Sequence, residues 1–147
     1  IASTIAEQLD VVGMLAVELF ETSDGRILVN ELAMRPHNTG HWSIDGAVTS
    51  QFENHVRAVL DLPLGSTTPL ATWSVMVNIL GGAEPDLVAR RRLALAAEPD
   101  VHIHLYGKDV KPGRKVGHVT ATGTNLESVL ARARRSAALV KGEESEQ

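Results

Sequence analysis

The sequence predicts an α+β fold in two lobes, residues 1–68 and residues 69–147. One observation behind this prediction is a pair of β-rich runs, 11–20 and 26–33, joined by Asp24-Gly25, because Asp-Gly between such runs favours a hairpin. The other is that segments with strand alternation and segments with helical spacing occur in both lobes. With 44% hydrophobic and 22% charged residues, the chain has the composition of a globular protein.

The first lobe is predicted to hold two helices besides the hairpin. Residues 1–9 have helical spacing, whereas residues 36–46 form a polar, irregular loop. Ser50 and Glu53 form a capping box, in which each side chain satisfies the backbone N–H of the other, and so begin the second helix. This helix ends before Pro63. Its apolar face comprises Phe52, Val56, Val59 and Leu60.

The second lobe is predicted to contain three strands and two helices. Residues 101–106 alternate apolar and polar side chains and are therefore a half-buried strand. Thr124 and Glu127 form a second capping box, which begins the last helix. The charged end, 142–147, is expected to fray. The other predicted elements are strands at 73–80 and 115–122, a helix at 86–97, and an inward helix face of Leu126, Val129, Leu130, Ala133 and Ala137.

Composition excludes several kinds of site. With 14 basic and 18 acidic residues the net charge is −4, so no basic field favours binding to nucleic acid or membranes. The chain has no Cys, which excludes thiolate metal sites and is consistent with a reducing cytoplasm. No apolar run reaches the roughly 18 residues of a membrane span. Because residues 1–9 lack both Met and a signal-peptide layout, we expect a fragment of a longer polypeptide.

Two glutamates on the predicted hairpin form the first candidate site. A two-residue loop at Asp24-Gly25 would place Glu18 directly opposite Glu31, with Cβ atoms roughly 4.5–5.5 Å apart. Facing carboxylates repel each other unless a cation lies between them, and Mg²⁺ is commonly held by one or two carboxylates. Asn30 adds a polar group beside this pair. The alternative is an exposed hairpin with two solvated glutamates, because a one-residue slip would separate them.

The segment that follows the hairpin is rich in side chains that bind ligands. Arginine offers a bidentate fork for phosphate or carboxylate, and histidine and asparagine offer directional hydrogen bonds. Gly40 would let a ligand approach the backbone. Next to the paired glutamates, the whole set predicts a ligand pocket better than an ordinary polar loop. The candidates are Arg35, His37, Asn38 and His41, with Trp42 as a candidate wall.

A basic turn in the second lobe is a third candidate. Lys108, Arg114 and Lys115 cluster around the Pro112-Gly113 turn, which would suit a phosphate monoester. On composition alone, a solvated basic turn is the simpler interpretation. His102 and His104 share a strand face, but the sequence shows no evident third ligand, so packing is favoured over a metal site. The arginines at 90–92 and at 132, 134 and 135 are interpreted as solvated helix faces.

The chain closely resembles the ATP-grasp family, and within it the N5-carboxyaminoimidazole ribonucleotide synthases. The resemblance is carried by NELAMRPHNTGHW at 30–42 and SQFENHVRAVLDLPLG at 50–65. It continues at 75–78, 102–108 and 111–118, so that it covers nearly the whole chain. Met34 departs from the proline that many relatives are expected to have.

The resemblance implies a structure and a role for each candidate residue. Residues 1–68 would be the carboxyl-terminal part of an ATP-grasp domain, an antiparallel sheet with helices. Residues 69–147 would be a small α/β hybrid-motif-like lobe that closes the substrate site. Mg²⁺ or Mn²⁺ on ATP would be held by Glu18 and Glu31, with Asn30 and Glu31 at the nucleotide. The 5-aminoimidazole ribonucleotide would be bound by Arg35, His37, Asn38 and His41, of which Arg35 and His37 are expected to be catalytic, and its phosphate by Lys108, Arg114 and Lys115.

The reaction that the resemblance implies is the ATP-dependent carboxylation of 5-aminoimidazole ribonucleotide by bicarbonate, in purine biosynthesis. The enzyme would be a cytoplasmic homodimeric carbon–nitrogen ligase without a nucleic-acid or membrane partner. The chain contains no Gly-rich phosphate loop and none of the family's upstream lysines, so we expect it to be inactive alone. Two alternatives stay open: an enzyme like the formate-dependent glycinamide ribonucleotide transformylases, and a non-catalytic lobe that packs on a partner chain.

Overall fold

The computed structural model describes residues 1–143 and divides the chain into two compact units, Ile1–Thr68 and a second that begins at Pro69. The first unit contains α1 (Ala2–Gln8), β1 (Ala16–Glu21), β2 (Ile27–Ala33), a 3₁₀ turn (Asn38–Gly40), α2 (Ser43–Gly46) and α3 (Gln51–Val59). The second contains β3 (Trp73–Leu80), α4 (Leu87–Ala97), β4 (His102–Leu105), β5 (Lys115–Gly123) and α5 (Leu126–Lys141). The α+β prediction is confirmed.

The hairpin of β1 and β2 has a loop one residue longer than predicted. Thr22 and Arg26 close the loop, since Thr22 N–H donates to Arg26 O at 2.9 Å. Gly25 has a positive φ of +80° but Asp24 does not, whereas a two-residue type I′ turn at Asp24-Gly25 would need positive φ at both residues. Asp24 instead accepts hydrogen bonds from the Thr22 hydroxyl and from Arg26 Nε, and these bonds hold the pKa of Asp24 below its ordinary value.

Two segments around the hairpin differ from the prediction. β1 begins at Ala16 rather than at residue 11, because Gly13 has φ +102° and Met14 N–H donates to His55 Nδ1 at 3.0 Å instead of to a strand. The segment 36–46, which was expected to be irregular, contains the 3₁₀ turn and α2. The polar residues that suggested a loop therefore form short hydrogen-bonded turns.

The start of α3 is confirmed, with one correction. Ser50 is the N-cap, and its hydroxyl accepts the Glu53 N–H at 3.2 Å. The Glu53 carboxylate, however, pairs with Arg57 at 2.5 Å, so the capping box works in one direction only. The predicted apolar face of α3 is largely exposed, from 40% at Phe52 to 61% at Leu60.

The second unit is built on a three-stranded antiparallel sheet in the order β3-β5-β4. One face of the sheet packs against α5, which also contacts α4. Val119 and Ala121 of the central strand are fully buried in this core. The strand Trp73–Leu80 agrees with the prediction residue for residue. The other buried members of the core are Ile79, Leu87, Ala94, Val101, Val116, Val129, Ala133, Ala137 and Val140.

The last helix begins one residue later than predicted. Asn125, not Thr124, is the N-cap, and its side-chain oxygen accepts the Ser128 N–H at 2.9 Å. Leu126, expected to face inward, is 43% exposed because it lies in the first turn. Gly142 ends α5 in the left-handed conformation, with φ +76°, rather than in a frayed segment. Residues 144–147 of the predicted frayed end lie outside the described residues.

Replacing Asn125 with Ala is expected to lower the free energy of unfolding of the second unit by about 1 kcal/mol, because the Ser128 N–H loses its acceptor. Urea denaturation would measure the change. Thr124→Ala is the matched control and should change stability by less than about 0.5 kcal/mol. A larger loss for Thr124→Ala than for Asn125→Ala would instead identify Thr124 as the N-cap, as the sequence predicted.

Three arginines expected to be solvated have structural partners instead. Arg90 Nε donates to Leu139 O at 2.8 Å, which ties α4 to α5. Arg132 donates to Thr122 O at 2.6 Å, and Arg135 forms an ion pair with Glu98. These arginines therefore join elements of the second unit.

Within residues 1–143, no helix is both long enough and apolar enough to cross a membrane.

Candidate functional site

The two glutamates predicted to face each other are paired across the hairpin. Glu18 and Glu31 are Cα partners in the β1–β2 ladder. Near the turn the register is displaced by the longer loop, so that Leu19 pairs with Val29. A bulge then leaves Asn30 unpaired between these partners and restores the opposition of the two glutamates. The predicted pairing is therefore confirmed, although it depends on two irregularities rather than on a regular ladder.

The contacts of the two carboxylates differ. Glu18 Oε2 accepts a hydrogen bond from Asn30 Nδ2 at 3.3 Å, and Glu18 Oε1 lies 3.1 Å from His37 Nε2. Glu31 is exposed and makes no side-chain hydrogen bond or ion pair to any residue within 1–143. One carboxylate is thus held in place by its neighbours while the other remains open to solvent.

The contacts of the His37 ring identify which of its two nitrogens carries the proton. Thr39 N–H donates to His37 Nδ1 at 3.4 Å, and the Thr39 hydroxyl lies 3.0 Å from the same nitrogen. Because Nδ1 acts as an acceptor, we assign the proton of the neutral ring to Nε2, which donates it to Glu18. Glu18 and His37 line one cavity of about 330 Å³ together with Thr39 and residues 16, 17 and 19 of β1.

Gln51, which the sequence analysis did not single out, organises the loop that carries His37. Its Oε1 accepts the His37 N–H at 3.0 Å, while its Nε2 donates to His37 O at 2.7 Å and lies 2.8 Å from His41 Nδ1. The Gln51 backbone N–H donates to Ser43 Oγ at 2.9 Å. The space beside Gly40 is filled by this carboxamide, so the expectation that Gly40 exposes its backbone to a ligand is corrected.

The remaining candidates of the first unit occupy different environments on the same loop. Arg35 is exposed, and its Nη1 donates to Pro36 O at 3.1 Å. Asn38 is half-buried, and its buried Oδ1 has no hydrogen-bond partner within residues 1–143. His41 packs against Phe52, with ring centroids 5.2 Å apart. A buried acceptor without a partner is unusual, so Asn38 is a natural contact for a ligand donor.

The predicted metal ligands can be tested by their chemistry. Paired carboxylates beside a carboxamide are oxygen donors of the kind that Mg²⁺ and Mn²⁺ prefer. The opposition of Glu18 and Glu31 places two like charges together on the hairpin, which a divalent cation would relieve. The residues present therefore fit the implied metal.

The basic candidates of the second unit surround a rigid turn. Gly81 N–H donates to Arg114 O at 2.7 Å, and Gly113 N–H donates back to Gly81 O at 3.0 Å. A Cβ at Gly81 would collide with the Lys111 carbonyl, so only glycine allows this close approach. The exposed Lys108 has its Nζ 5.5 Å from the centroid of the Tyr106 ring. The turn thus holds its cations on a fixed backbone.

The three cations around this turn have different neighbours. Lys108 lines a cavity of about 160 Å³ that also includes Gly107 and Val110. Arg114 is exposed and donates to Asp109 O at 3.4 Å, whereas Lys115 is the first residue of β5.

A cluster of aromatic and imidazole rings lies on the sheet of the second unit. His118 is 1% exposed, pairs with His104 across the ladder and stacks on its ring with centroids 4.7 Å apart. The Tyr106 hydroxyl lies 2.7 Å from His118 Nδ1, and burial raises the pKa of Tyr106. The predicted packing role of His104 agrees with this arrangement. His118 was not among the predicted site residues. It precedes the core residue Val119 on β5, so its side chain lies on the other face of the sheet.

Comparison with known proteins follows the division into two units. Residues 1–52 match the ATP-grasp domain, and residues 74–132 match the phosphoribosylaminoimidazole carboxylase C-terminal domain. The N5-carboxyaminoimidazole ribonucleotide synthase of Mycobacterium tuberculosis H37Rv is 54% identical over 140 residues, which are 93% of this chain and 33% of that protein. The synthase of Aquifex aeolicus is 46% identical over 142 residues, 97% of this chain and 38% of that protein.

Solved structures give the same result. The phosphoribosylaminoimidazole carboxylase ATPase subunit from Aquifex aeolicus has a TM-score of 0.77 at 46% identity, covering 94% of this chain and 41% of that chain. The N5-carboxyaminoimidazole synthase from Aspergillus clavatus, in complex with ADP and 5-aminoimidazole ribonucleotide, has a TM-score of 0.72 at 39% identity, covering 87% of this chain and 35% of that chain.

The fold, the hairpin and these matches define an ATP-grasp protein. The chain spans about a third of the length of the curated relatives it matches. It belongs to the N5-carboxyaminoimidazole ribonucleotide synthase family and corresponds to the carboxyl-terminal portion of its members.

Proposed function

We propose that this chain is the carboxyl-terminal part of an enzyme that carboxylates 5-aminoimidazole ribonucleotide with ATP and bicarbonate. The observation that carries the proposal is the opposition of Glu18 and Glu31 across the hairpin, next to the loop of Arg35 and His37. By "complete enzyme" we mean this chain joined to the preceding segment that its relatives contain. The complete enzyme is proposed to be a cytoplasmic homodimer.

Glu18 and Glu31 are proposed to hold Mg²⁺ or Mn²⁺ at the phosphates of ATP, with Asn30 beside them. When bound, the cation would neutralise charge on the phosphates during transfer of the γ-phosphoryl group to bicarbonate. Asn30 and His37 fix the Glu18 carboxylate from two sides, at 3.3 Å and 3.1 Å. This leaves Glu31 as the open carboxylate that can turn toward the nucleotide.

Arg35, His37, Asn38 and His41 are proposed to bind the aminoimidazole ribonucleotide. Bicarbonate attacks the γ-phosphorus and ADP leaves; the exocyclic amine of the substrate then attacks carboxyphosphate, or CO₂ released from it, and phosphate is lost. Arg35 has an exposed guanidinium suited to anionic oxygens, and Asn38 has a buried oxygen available to a donor. Arg35 and His37 are the proposed catalytic residues, and positioning would supply most of their effect.

Lys108, Arg114 and Lys115 are proposed to bind the ribose phosphate of the same substrate. Two observations support this proposal. The cations are exposed around a turn that is hydrogen-bonded to Gly81, and Lys108 lines a cavity. Charge-assisted bonds from two such groups to a phosphate would be a large part of substrate affinity. Of the alternatives, family membership favours the carboxylating enzyme over a transformylase.

The direct test of the activity is ADP formation by the complete enzyme, measured with each substrate omitted in turn. ADP should form at full rate only with both bicarbonate and 5-aminoimidazole ribonucleotide present, and ¹⁴C from bicarbonate should enter the ribonucleotide. ADP formation that depends on formate and glycinamide ribonucleotide would instead support the transformylase alternative. ATP hydrolysis indifferent to both ribonucleotides would contradict both assignments.

Arg35→Ala in the complete enzyme is expected to raise the KM for 5-aminoimidazole ribonucleotide by roughly tenfold to a hundredfold, because one charge-assisted contact to the substrate is lost. The KM for ATP should stay within about threefold of the unmodified value, since the metal ligands are untouched. Steady-state kinetics with each substrate varied would measure both constants. Arg26→Ala, which removes an exposed arginine at the hairpin tip, is the control and should change neither. A selective rise in the KM for ATP would reverse the assignment of Arg35.

A further inference from the structure

One side chain outside the proposed contacts holds the Arg35–His41 loop. Gln51 is the first residue of α3, and side chains at a helix start point back toward the preceding segment. There its carboxamide meets the loop, and its own backbone N–H, one of the donors that a helix start leaves unpaired, is satisfied by Ser43 Oγ. The residue therefore links the rigid helix to the loop that is proposed to bind the ribonucleotide.

The Gln51 carboxamide makes three hydrogen bonds to this loop. Oε1 accepts the His37 N–H at 3.0 Å, and Nε2 donates to His37 O at 2.7 Å. The second donor position of Nε2 is directed at His41 Nδ1, 2.8 Å away. Both backbone groups of His37 are thus paired with one side chain, in the way that a neighbouring strand would pair them. This fixes the direction in which the rings of His37 and His41 leave the backbone.

The glycine of the loop is explained by the same contact. Gly40 lies so close to the Gln51 carboxamide that a Cβ at position 40 would overlap both its oxygen and its carbon. Ser43 adds a second tie, because its hydroxyl donates to Gly40 O at 2.5 Å while accepting from Gln51 N–H. The loop is therefore shaped against a carboxamide rather than against open solvent.

Gln51 does not line the cavity that contains Glu18 and His37. It lines a separate cavity of about 250 Å³ with Gly40, Trp42 and Ser43. We propose, building on the proposed function, that Gln51 is a positioning residue: it acts through His37 and His41, holding the loop in the shape that binds 5-aminoimidazole ribonucleotide, and does not touch ATP.

Gln51→Leu in the complete enzyme tests this role, because leucine is of similar size and removes all three hydrogen bonds. The KM for 5-aminoimidazole ribonucleotide should rise roughly tenfold or more, while the KM for ATP changes by less than about threefold. In the enzyme without substrates, amide hydrogen exchange in the peptide 36–42 should become at least about tenfold faster. Gln51→Glu, which keeps the acceptor for His37 N–H but loses both donors, should give the same pattern. Gln8→Leu at an exposed helix position is the matched control and should change none of these values.

The outcomes separate this inference from the proposed function. An unmodified enzyme without activity that depends on the ribonucleotide would overturn both. An active enzyme in which Gln51→Leu and Gln51→Glu leave the ribonucleotide KM and the exchange of 36–42 unchanged would overturn the positioning role alone. A variant with fewer folded molecules but unchanged KM values would show a merely structural residue and would also overturn it. Gly40→Ala, which pushes a methyl group into the carboxamide, should reproduce the rise in the ribonucleotide KM.

Discussion

Replacing Glu31 with Gln in the complete enzyme is expected to lower kcat/KM for MgATP by more than roughly a hundredfold. Gln has the shape of Glu without its charge, so the strand pairing with Glu18 should persist. What is lost is one of the two negative charges proposed to hold the cation. Initial rates of ADP formation, with MgATP varied and the other substrates saturating, would measure the effect.

Glu18→Gln should have an effect in the same direction, because it removes the other carboxylate and weakens the contact with His37. Titration calorimetry supplies a reading independent of turnover: both variants should bind MgADP more weakly but bind metal-free ADP almost as well as the unmodified enzyme. Glu21→Gln is the control, since Glu21 lies exposed at the far end of the same strand. Equal effects of Glu21→Gln and Glu31→Gln would show that general charge, not the opposed pair, is responsible.

Ile79→Ala is expected to lower the free energy of unfolding of the second unit by about 2–5 kcal/mol. Ile79 is fully buried in a core that also contains Val119 and Ala137, so its removal leaves a cavity among packed side chains. The change can be measured by urea denaturation, followed by the fluorescence of Trp73 in a chain that carries Trp42→Phe. An effect of this size should also abolish slow amide exchange in β5.

The adjacent Leu80 provides the control for this experiment. It lies on the same strand but is 44% exposed, so Leu80→Ala should lower the stability by less than about 1 kcal/mol. Similar losses for the two variants would contradict the placement of the core. In the first unit, by contrast, Ala33 and Ala47 are the only buried apolar side chains among the described residues.

The sequence predicted the elements of the second unit well, for a physical reason. β3 is a run of mostly apolar residues that stops at the glycines 81 and 82, and Asp86 caps the start of α4. Their stability comes mostly from one shared core, so local pattern and tertiary structure agree. The start of α5 was misplaced by one residue because Thr124 and Asn125 are both good caps, and only the backbone decides between them.

The pairing of Glu18 with Glu31 was predicted correctly, but not for the correct reason. A dipeptide signal can indicate a hairpin, but it does not fix the loop length, which here is one residue longer. The bulge at Asn30 compensates for that difference. Bulges have no strong local sequence signal, so two opposite errors in register happened to cancel.

The role of Gln51 could not have been predicted from the sequence. A glutamine after a Ser cap is an ordinary helix residue, and its partners, His37 and His41, lie ten or more positions earlier. Gly40 was the available signal, but the sequence does not show whether its small size makes room for a ligand or for a neighbouring side chain. Contacts of this kind depend on tertiary structure, and the periodicities of the chain do not report them.

The most direct test of the proposed site is a crystal structure of the complete enzyme with ADP, Mn²⁺ and 5-aminoimidazole ribonucleotide, in which anomalous scattering locates the metal. We expect a metal ion bound to carboxylate oxygens of both Glu18 and Glu31 and to the nucleotide phosphates. We also expect the ribonucleotide to contact the loop of Arg35 and His37. A metal ion held by other residues, with Glu18 and Glu31 both facing solvent, would rule out these two glutamates as the metal ligands.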